Sequence, residues 1–329
     1  MSYTSETGSL GLARQDVKGT FHAPTDYMKI QSIDMNPDGE KLIPDPEIGG
    51  ISDIDSIHQG TYKIGGSVDT YIRPEAIGIL FHGALGSYTP SGLINNGAYL
   101  HNFTPLASGS LPWISVKKSI SDDVQVFNYT DCKVEGFSID INASEYCTAK
   151  FDIVGISDAV GVAGSESYES APLLVATKAT INIGGVSVSA KKATIEFKNN
   201  LNNDDFRVGS RFLGDITEKR RELDLKMDIV LDTTSELYRK SFYGAAAATT
   251  AGFAVYADSV DILLDSPTNI ATSAISYKIL FQIKNAVFMA APTPASGDDL
   301  VVIPLELKAT KSGTNNLFEV HIWNSKSLY

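Results

Sequence analysis

Residues 222–231 read ELDLKMDIVL: Leu223, Leu225, Met227, Ile229 and Leu231 fall at every second position, with Glu222, Asp224, Lys226 and Asp228 between them. A period of two sends successive side chains to opposite faces, so this segment is a strand with one dry face and one wet face. Residues 61–72 (TYKIGGSVDTYI) have the same form, with Tyr62, Ile64, Val68 and Ile72 inward and Lys63, Ser67 and Asp69 outward. The alternation returns at 194–198, 278–284 and 301–309, which makes the expected fold mainly β. Two segments depart from it and predict short helices, 74–85 (PEAIGILFHGAL) and 233–243 (TTSELYRKSFY), each directly after a strand. Pro74 suits a first helical turn and Thr233 or Asp232 an N-cap, while Gly86 and Gly244 stand where left-handed C-caps belong.

These two strand-then-helix units have the same neighbours in the same order. Residues 48–86 and 212–245 each run from a Gly-containing loop through an alternating strand, an Asp near its end and a short helix to a glycine. Upstream, 27–45 matches 193–210 as a strand entering a polar Asn, Asp and Gly-rich loop; downstream, a hairpin at 132–154 matches 277–309. The shared order predicts a duplicated module. The first copy is expected at 1–160 and the second at 177–329. The linker between them, 161–176, falls in the stretch 157–176, whose SDAVGVAGSESYESAPLL is rich in Gly, Ser, Ala and Glu. Residues 87–121, rich in Gly, Asn and Pro around Trp113, are expected to form an elaborated surface loop.

The chain has 329 residues, enough for a sizeable core. Twenty-seven Lys and Arg against 39 Asp and Glu give a net charge of −12, which argues against a protein that neutralises the phosphates of tightly bound nucleic acid. Hydrophobic residues at 43% and charged ones at 20% fit a folded protein and not a disordered one. Residues 1–19 show no basic stretch before an apolar core, and the longest weakly polar run, 244–256, is far shorter than the roughly 20 apolar residues of a membrane span. The expectation is a cytoplasmic chain without a membrane segment, in which Cys132 and Cys147 stay reduced and pack as small apolar residues.

Catalytic motifs were not found. His22, His58, His82, His101 and His321 show neither HxH nor HExxH spacing, and no nucleophile elbow, phosphate loop or dinucleotide fingerprint occurs. The pairs Asp122 and Asp123, Asp204 and Asp205, and Asp298 and Asp299 lie in polar stretches without a calcium-loop pattern and read as solvated turns. No catalytic residue, metal or cofactor is therefore expected. Two other classes stay open: a carbohydrate-binding β-sandwich presenting Trp113, Tyr88 and Trp323, and a glycoside hydrolase with two carboxylates roughly 5 to 10 Å apart in a cleft. A structural role uses more of the sequence. Modules with one apolar sheet face leave strand edges open, and head-to-tail pairing of such edges closes into rings that stack.

The segment GTYKIGGSVDTYIRPEAIGILFHGALG (60–86) resembles the strand-then-helix core of the tail tube proteins, or major tail proteins, of long-tailed, siphovirus-like bacteriophages. The segment KATINIGGVSVSAKKATIEFKNNL (178–201) is similar to the strand pair that opens the second half of larger members, and the resemblance covers most of the chain, 23–310. It implies two tandem β-sandwich or half-barrel modules, each with one short helix, whose inner four-stranded sheets join those of their neighbours into a continuous barrel. Six modules per ring give roughly 24 strands, wide enough for an open lumen. Two modules per chain then imply a trimeric, pseudo-hexameric ring; a decorating second half would imply a true hexamer instead.

The implied function is that of a structural virion protein, assembled in the host cytoplasm, whose stacked rings form the tail tube. Its acidic lumen would conduct double-stranded DNA into the host without binding it specifically. Implied partners are further copies of the chain, a tape-measure protein, a tail terminator and tail-tip proteins. The wet faces of the strands supply the expected lumen residues: Asp69, Glu135, Asp152, Glu196, Glu222, Asp224, Asp228 and Glu306. Lys63 and Lys226 share these faces and are expected to pair with the acids. Loops 35–51 and 199–215 would reach the adjacent ring, the first through Asn36, Asp38, Glu40 and Lys41 and the second through Asn203, Asp204, Asp205 and Arg207.

Overall fold

The computed structural model describes residues 8–48, 53–54, 56–120, 125–231, 237–245, 247–292, 300–313 and 315–329. In chain order the strands before the first helix are β1 (Ser9–Arg14), β2 (Asp26–Met28), β3 (Ser32–Ile33), β4 (Asn36–Leu42) and β5 (His58–Tyr71). Helix α1 (Gly78–Leu85) leads to β6 (Gly86–Asn95), β7 (Ala98–Pro105), β8 (Ile114–Ile120), β9 (Gln125–Asn142) and β10 (Thr148–Val160). Then come β11 (Thr180–Ile183), β12 (Val186–Val188), β13 (Ala190–Lys198) and β14 (Glu222–Val230). Helix α2 (Leu237–Tyr243) precedes β15 (Ala257–Asn269), β16 (Ser276–Ala290), β17 (Val302–Ala309) and β18 (Glu319–Asn324). The fold is mainly β, as the alternation predicts, and the sheet does not close into a barrel.

One row of antiparallel strands runs β4–β5–β10–β9–β13–β14–β17–β16. The first half of β9 stays paired with β10 but has β8 in place of β13 on its other side, and β8 continues to β1 and β2. Similarly, the first half of β16 pairs with β18, followed by β7 and β6, while β15 on its other side pairs with β11 and then β12. Two pairings therefore join early and late parts of the chain, β9 with β13 and β7 with β18. At the first of these, Gly136 is required because a Cβ there would lie 2.4 Å from the Phe197 carbonyl oxygen.

Every residue of α1 is buried, which is what a helix apolar on all sides must be. Its Phe81 ring meets Phe137 at 5.2 Å, Phe151 at 5.5 Å, Phe281 at 5.9 Å and Phe103 at 6.5 Å. The core around them is one cluster containing residues from β5, β9, β10, β14, β16 and β18. Gly86 takes the left-handed cap (φ 88°) and donates to the His82 carbonyl, as expected. The helix begins later than residue 74 because Pro74 O is taken by Asn324 Nδ2 (2.7 Å) and Tyr329 Oη (3.0 Å), and the Ala76 amide by Glu169 (2.8 Å). For α2, Asp232 and Thr233 lie outside the described residues, and Gly244 (φ 74°) follows the last turn.

The expected surface loop at 87–121 is corrected: its described residues include β6, β7 and β8. Partner strands on both sides decide this, since β8 lies between β1 and β9 and β7 between β6 and β18. Lys117 and Lys118 are buried within β8; Lys118 Nζ donates to Met35 O at 2.8 Å.

The stretch with linker composition is tied down in its second half. Leu174 is buried and bridges Ile72 and Cys147 through backbone bonds, and the Glu169 carboxylate accepts from the Ala76 amide. Burial pushes the Glu169 carboxyl up to about 7, the Ala76 bond acting in the opposite sense. A carboxyl raised in the folded state contributes stability that is complete below its ordinary value and is lost as pH rises through 7. Wild-type protein is thus expected to lose about 3 kcal/mol relative to Glu169→Gln between pH 4.5 and 8. Urea midpoints of both proteins across that range check this; parallel profiles would refute it.

Candidate functional surface

The pairing registers bring the charged side chains of the first row onto one face. Asp69 lies opposite Lys150, Lys150 opposite Ser138, Ser138 opposite Glu196, Glu196 opposite Asp224, and Asp224 opposite Lys308. On one flank run Ser67, Asp152, Gly136, Lys198 and Glu222; on the other run Tyr71, Thr148, Asp140, Thr194, Lys226 and Glu306. A fourth line holds Asn142, Lys192, Asp228 and Pro304. Seven of the eight sequence-predicted acids thus share a face that crosses β5, β10, β9, β13, β14 and β17. The eighth, Glu135, is the extra residue of a bulge opposite Asp152 and Ile153 and interacts electrostatically with Asp152. Asp140 belongs to the same face and was missed in the sequence reading; continuing the alternation of β9 two residues beyond Ser138 would have found it.

Carboxylates outnumber lysines eight to five in these four lines, so the face is acidic but laced with cations. Lys308 Nζ lies 3.0 Å from Glu222 and 3.3 Å from Asp224, and Lys198 Nζ lies 2.6 Å from Glu196. The Lys308 hydrogen bond holds Glu222 below the ordinary carboxyl range, and the Glu196 hydrogen bond raises Lys198. Asp152 and Glu135 go the other way: burial raises both, and Asp152 further raises Glu135. Such exposed pairs contribute little to stability and chiefly set the field over the face.

The two expected ring-contact segments differ from each other. Asn36, Asp38, Glu40 and Lys41 do not lie in a loop but on β4, an edge strand whose residues are all exposed. β5 offers an unpaired edge, and the backbone of 36–42 takes it despite a sequence of turn residues. The connection after β4 is therefore 43–57. Asn203, Asp204, Asp205 and Arg207 do lie in a loop, 199–221, where Arg207 pairs with Asp205 at 2.6 Å.

Loop 199–221 folds back on the first part of the chain. Leu201, Leu213, Ile216 and Phe206 form a small apolar cluster with Leu111, Trp113, Val154 and Ile156. Phe212 packs against Tyr62 at 5.5 Å, and Lys18 pairs with Asp215 at 3.0 Å. The anchor is Lys133, whose side chain is 1% exposed; its ammonium donates to Ser110 Oγ, Ile216 O and Glu218 Oε1, each at 2.7 Å. Burial works to raise Glu218, but hydrogen bonds from Lys133 and the Leu111 amide outweigh it, so its carboxyl lies below the ordinary value.

The aromatic residues considered for glycan binding are engaged internally. Trp113 lies beneath Lys133 (4.3 Å) and Lys18 (4.9 Å), Tyr88 stacks on Phe103 at 5.1 Å, and Trp323 lies under Lys278 at 4.8 Å. Cys132 and Cys147 are buried free thiols whose pKa burial raises, which makes them unreactive. Asp122, Asp123, Asp298 and Asp299 lie outside the described residues. Among the described residues no group of His, Cys, Asp and Glu is arranged to hold a metal, and no helix is long and apolar enough to cross a membrane.

Comparison with protein families finds that residues 5–309 match the family model described as phage tail tube protein. No curated protein matches the chain.

Proposed function

Because the chain belongs to the phage tail tube protein family, a family of structural virion components and not of enzymes, we propose that it forms the tail tube as trimeric, pseudo-hexameric rings whose lumen is lined by the acidic face of the first strand row. The observation that carries this is the row itself. In sheet order it reads β4–β5–β10–β9 and then β13–β14–β17–β16. In each group of four, a strand enters a loop, the next strand precedes a helix, and a late hairpin completes the set. The β9–β13 pairing is then a module-to-module junction inside one chain, which supports two modules at 1–160 and 177–329 joined by 161–176. Eight such strands per chain make roughly 24 in a ring of three.

A net negative lumen repels phosphates, so double-stranded DNA slides through without adhering, in keeping with the −12 charge of each copy. Asp69, Glu135, Asp152, Glu196, Glu222, Asp224, Asp228 and Glu306 would carry that field. The exposed β4 residues Asn36, Asp38, Glu40 and Lys41, with Asn203, Asp204, Asp205 and Arg207 of loop 199–221, would meet the next ring. The tube would belong to a long, siphovirus-like tail, assembled in the host cytoplasm around a tape-measure protein and bounded by tail-tip and terminator proteins. The glycan-binding reading draws no support, since Trp113, Tyr88 and Trp323 are packed against lysines and aromatic rings of the chain itself, and the glycosidase reading draws none from a family of structural components.

Electron microscopy of assembled tubes tests the proposal. The expected reconstruction shows threefold symmetry modulating a sixfold outline, with the Glu196 and Asp224 face toward the channel. Sixfold rings with only one module on the barrel, or that face turned outward, would overturn it.

A further inference from the structure

The loop after β13 docks on the module that β13 pairs with, whereas among the described residues after β4 (43–48, 53–54 and 56–57) no hydrogen bond, ion pair or core contact to the rest of the chain is seen. Residues 43–57 follow β4 as 199–221 follow β13. Their exposed aliphatic side chains are large: Ile48 is wholly exposed, and Ile43, Ile54 and Ile57 are each more than half exposed. Asp45, Glu47 and Asp53 lie among them. The same mixture, aliphatic residues with carboxylates, is what loop 199–221 presents to Leu111, Val154 and Lys133. A soluble monomer gains nothing from a segment of this kind left in water.

The surface that would receive it lies at the matching end of the second half of the strand row. Loop 199–221 docks where β5 begins and β10 ends, next to the Ile64 and Gly155 pair. The corresponding place, where β14 begins and β17 ends next to the Asp224 and Lys308 pair, is a groove lined by Leu106, Arg220, Arg221, Ala309, Lys311 and Leu317. It is basic on a chain that is acidic overall. Arg221 Nη2 donates to Leu106 O at 2.6 Å, while its Nη1 is buried with no hydrogen-bond partner among the described residues.

Resting on the side-by-side ring reading above, we propose that residues 43–48, which leave β4 in one copy, seat in the Arg220, Arg221 and Lys311 groove of its neighbour. Their carboxylates reach the guanidinium groups and their isoleucines cover Leu106 and Leu317. The contact is lateral, within a ring, and it repeats between chains the docking that loop 199–221 makes within one chain.

Charge reversal on exposed residues tests this without touching the core. Asp45→Lys with Glu47→Lys, and separately Arg220→Glu with Lys311→Glu, are expected to keep wild-type circular dichroism and melting. Each pair is expected to raise the protein concentration needed for ring formation roughly tenfold or more. All four substitutions on one chain reverse the pairs with Arg220 and Lys311 while leaving Arg221 in place, and are expected to recover part of the lost assembly. If the Asp45→Lys, Glu47→Lys protein makes discrete rings that fail to stack, the loop contacts the adjacent ring, and lateral docking is overturned while the tube reading stands. Unchanged assembly in all three variants also overturns it. A wild-type chain that makes no ring under any condition overturns both readings.

Discussion

Phe81→Ala is expected to destabilise the whole chain by about 3 to 5 kcal/mol, the range for removing a well-packed aromatic side chain. That is a large share of the roughly 5 to 15 kcal/mol that typically separates folded from unfolded protein. Phe81 lies on α1 at the meeting point of rings from β7, β9, β10 and β16, so its loss opens a cavity that no single strand can fill. Phe281 comes from the second proposed module and Phe137 from the first, which makes the effect common to both. The urea midpoint is expected to fall in a single transition seen alike by far-ultraviolet dichroism and tryptophan fluorescence, because Trp113 and Trp323 report on opposite parts of the chain. Phe81→Leu keeps much of the volume and is expected to retain more than half of the lost stability. Two separate transitions, with only one of them shifted, would show that the modules fold independently around separate cores.

The parts of this fold that were legible in the sequence are those where one strand face is dry and the other wet. Residues 222–230 and 61–72 alternate because their inner side chains enter the shared core and their outer ones form the acidic face, so strand and face were read together; Leu231, expected inward, lies past the end of β14 and is exposed. Seven of the acids chosen from that alternation lie in the four lines of paired residues, since register preserves parity from strand to strand. The reading fails where a partner imposes what the residues do not prefer. Residues 36–42 (NPDGEKL) carry turn formers and no apolar face, yet the open edge of β5 draws them into a strand. In β8 both faces are covered, so a stretch expected as surface loop buries even Lys117 and Lys118. A bulge is equally invisible in composition: the extra residue at Glu135 interrupts the parity of β9, and Lys133 beyond it ends in a dry site instead of a solvated one.

That site gives the second large effect. Lys133→Met is expected to cost about 3 kcal/mol, because methionine fills the space and leaves the Ile216 carbonyl and Glu218 carboxylate without the cation they were folded around. All three ammonium protons are used in the wild type, on Ser110, Ile216 and Glu218, so no water-filled slack exists to absorb the change. Glu218 remains about a fifth exposed, which places the cost at the lower end of the range for a broken buried pair. Removing both charges, in Lys133→Met with Glu218→Leu, is expected to recover more than half of the loss, since an apolar pair leaves no orphaned carboxylate. The pH dependence has a definite sign. A carboxyl held below its ordinary value of 4.5 contributes stability above that pH and loses it as the pH falls further, so the wild-type advantage over Lys133→Met should shrink on acidification below 4.5. Limited trypsin digestion separates local from global loss. If Lys133 pins loop 199–221, cleavage after Arg207, Arg211 and Lys219 accelerates in Lys133→Met under conditions where the rest of the chain stays intact. Uniform cleavage at all sites would mean that the ammonium supports the whole fold and not this one loop.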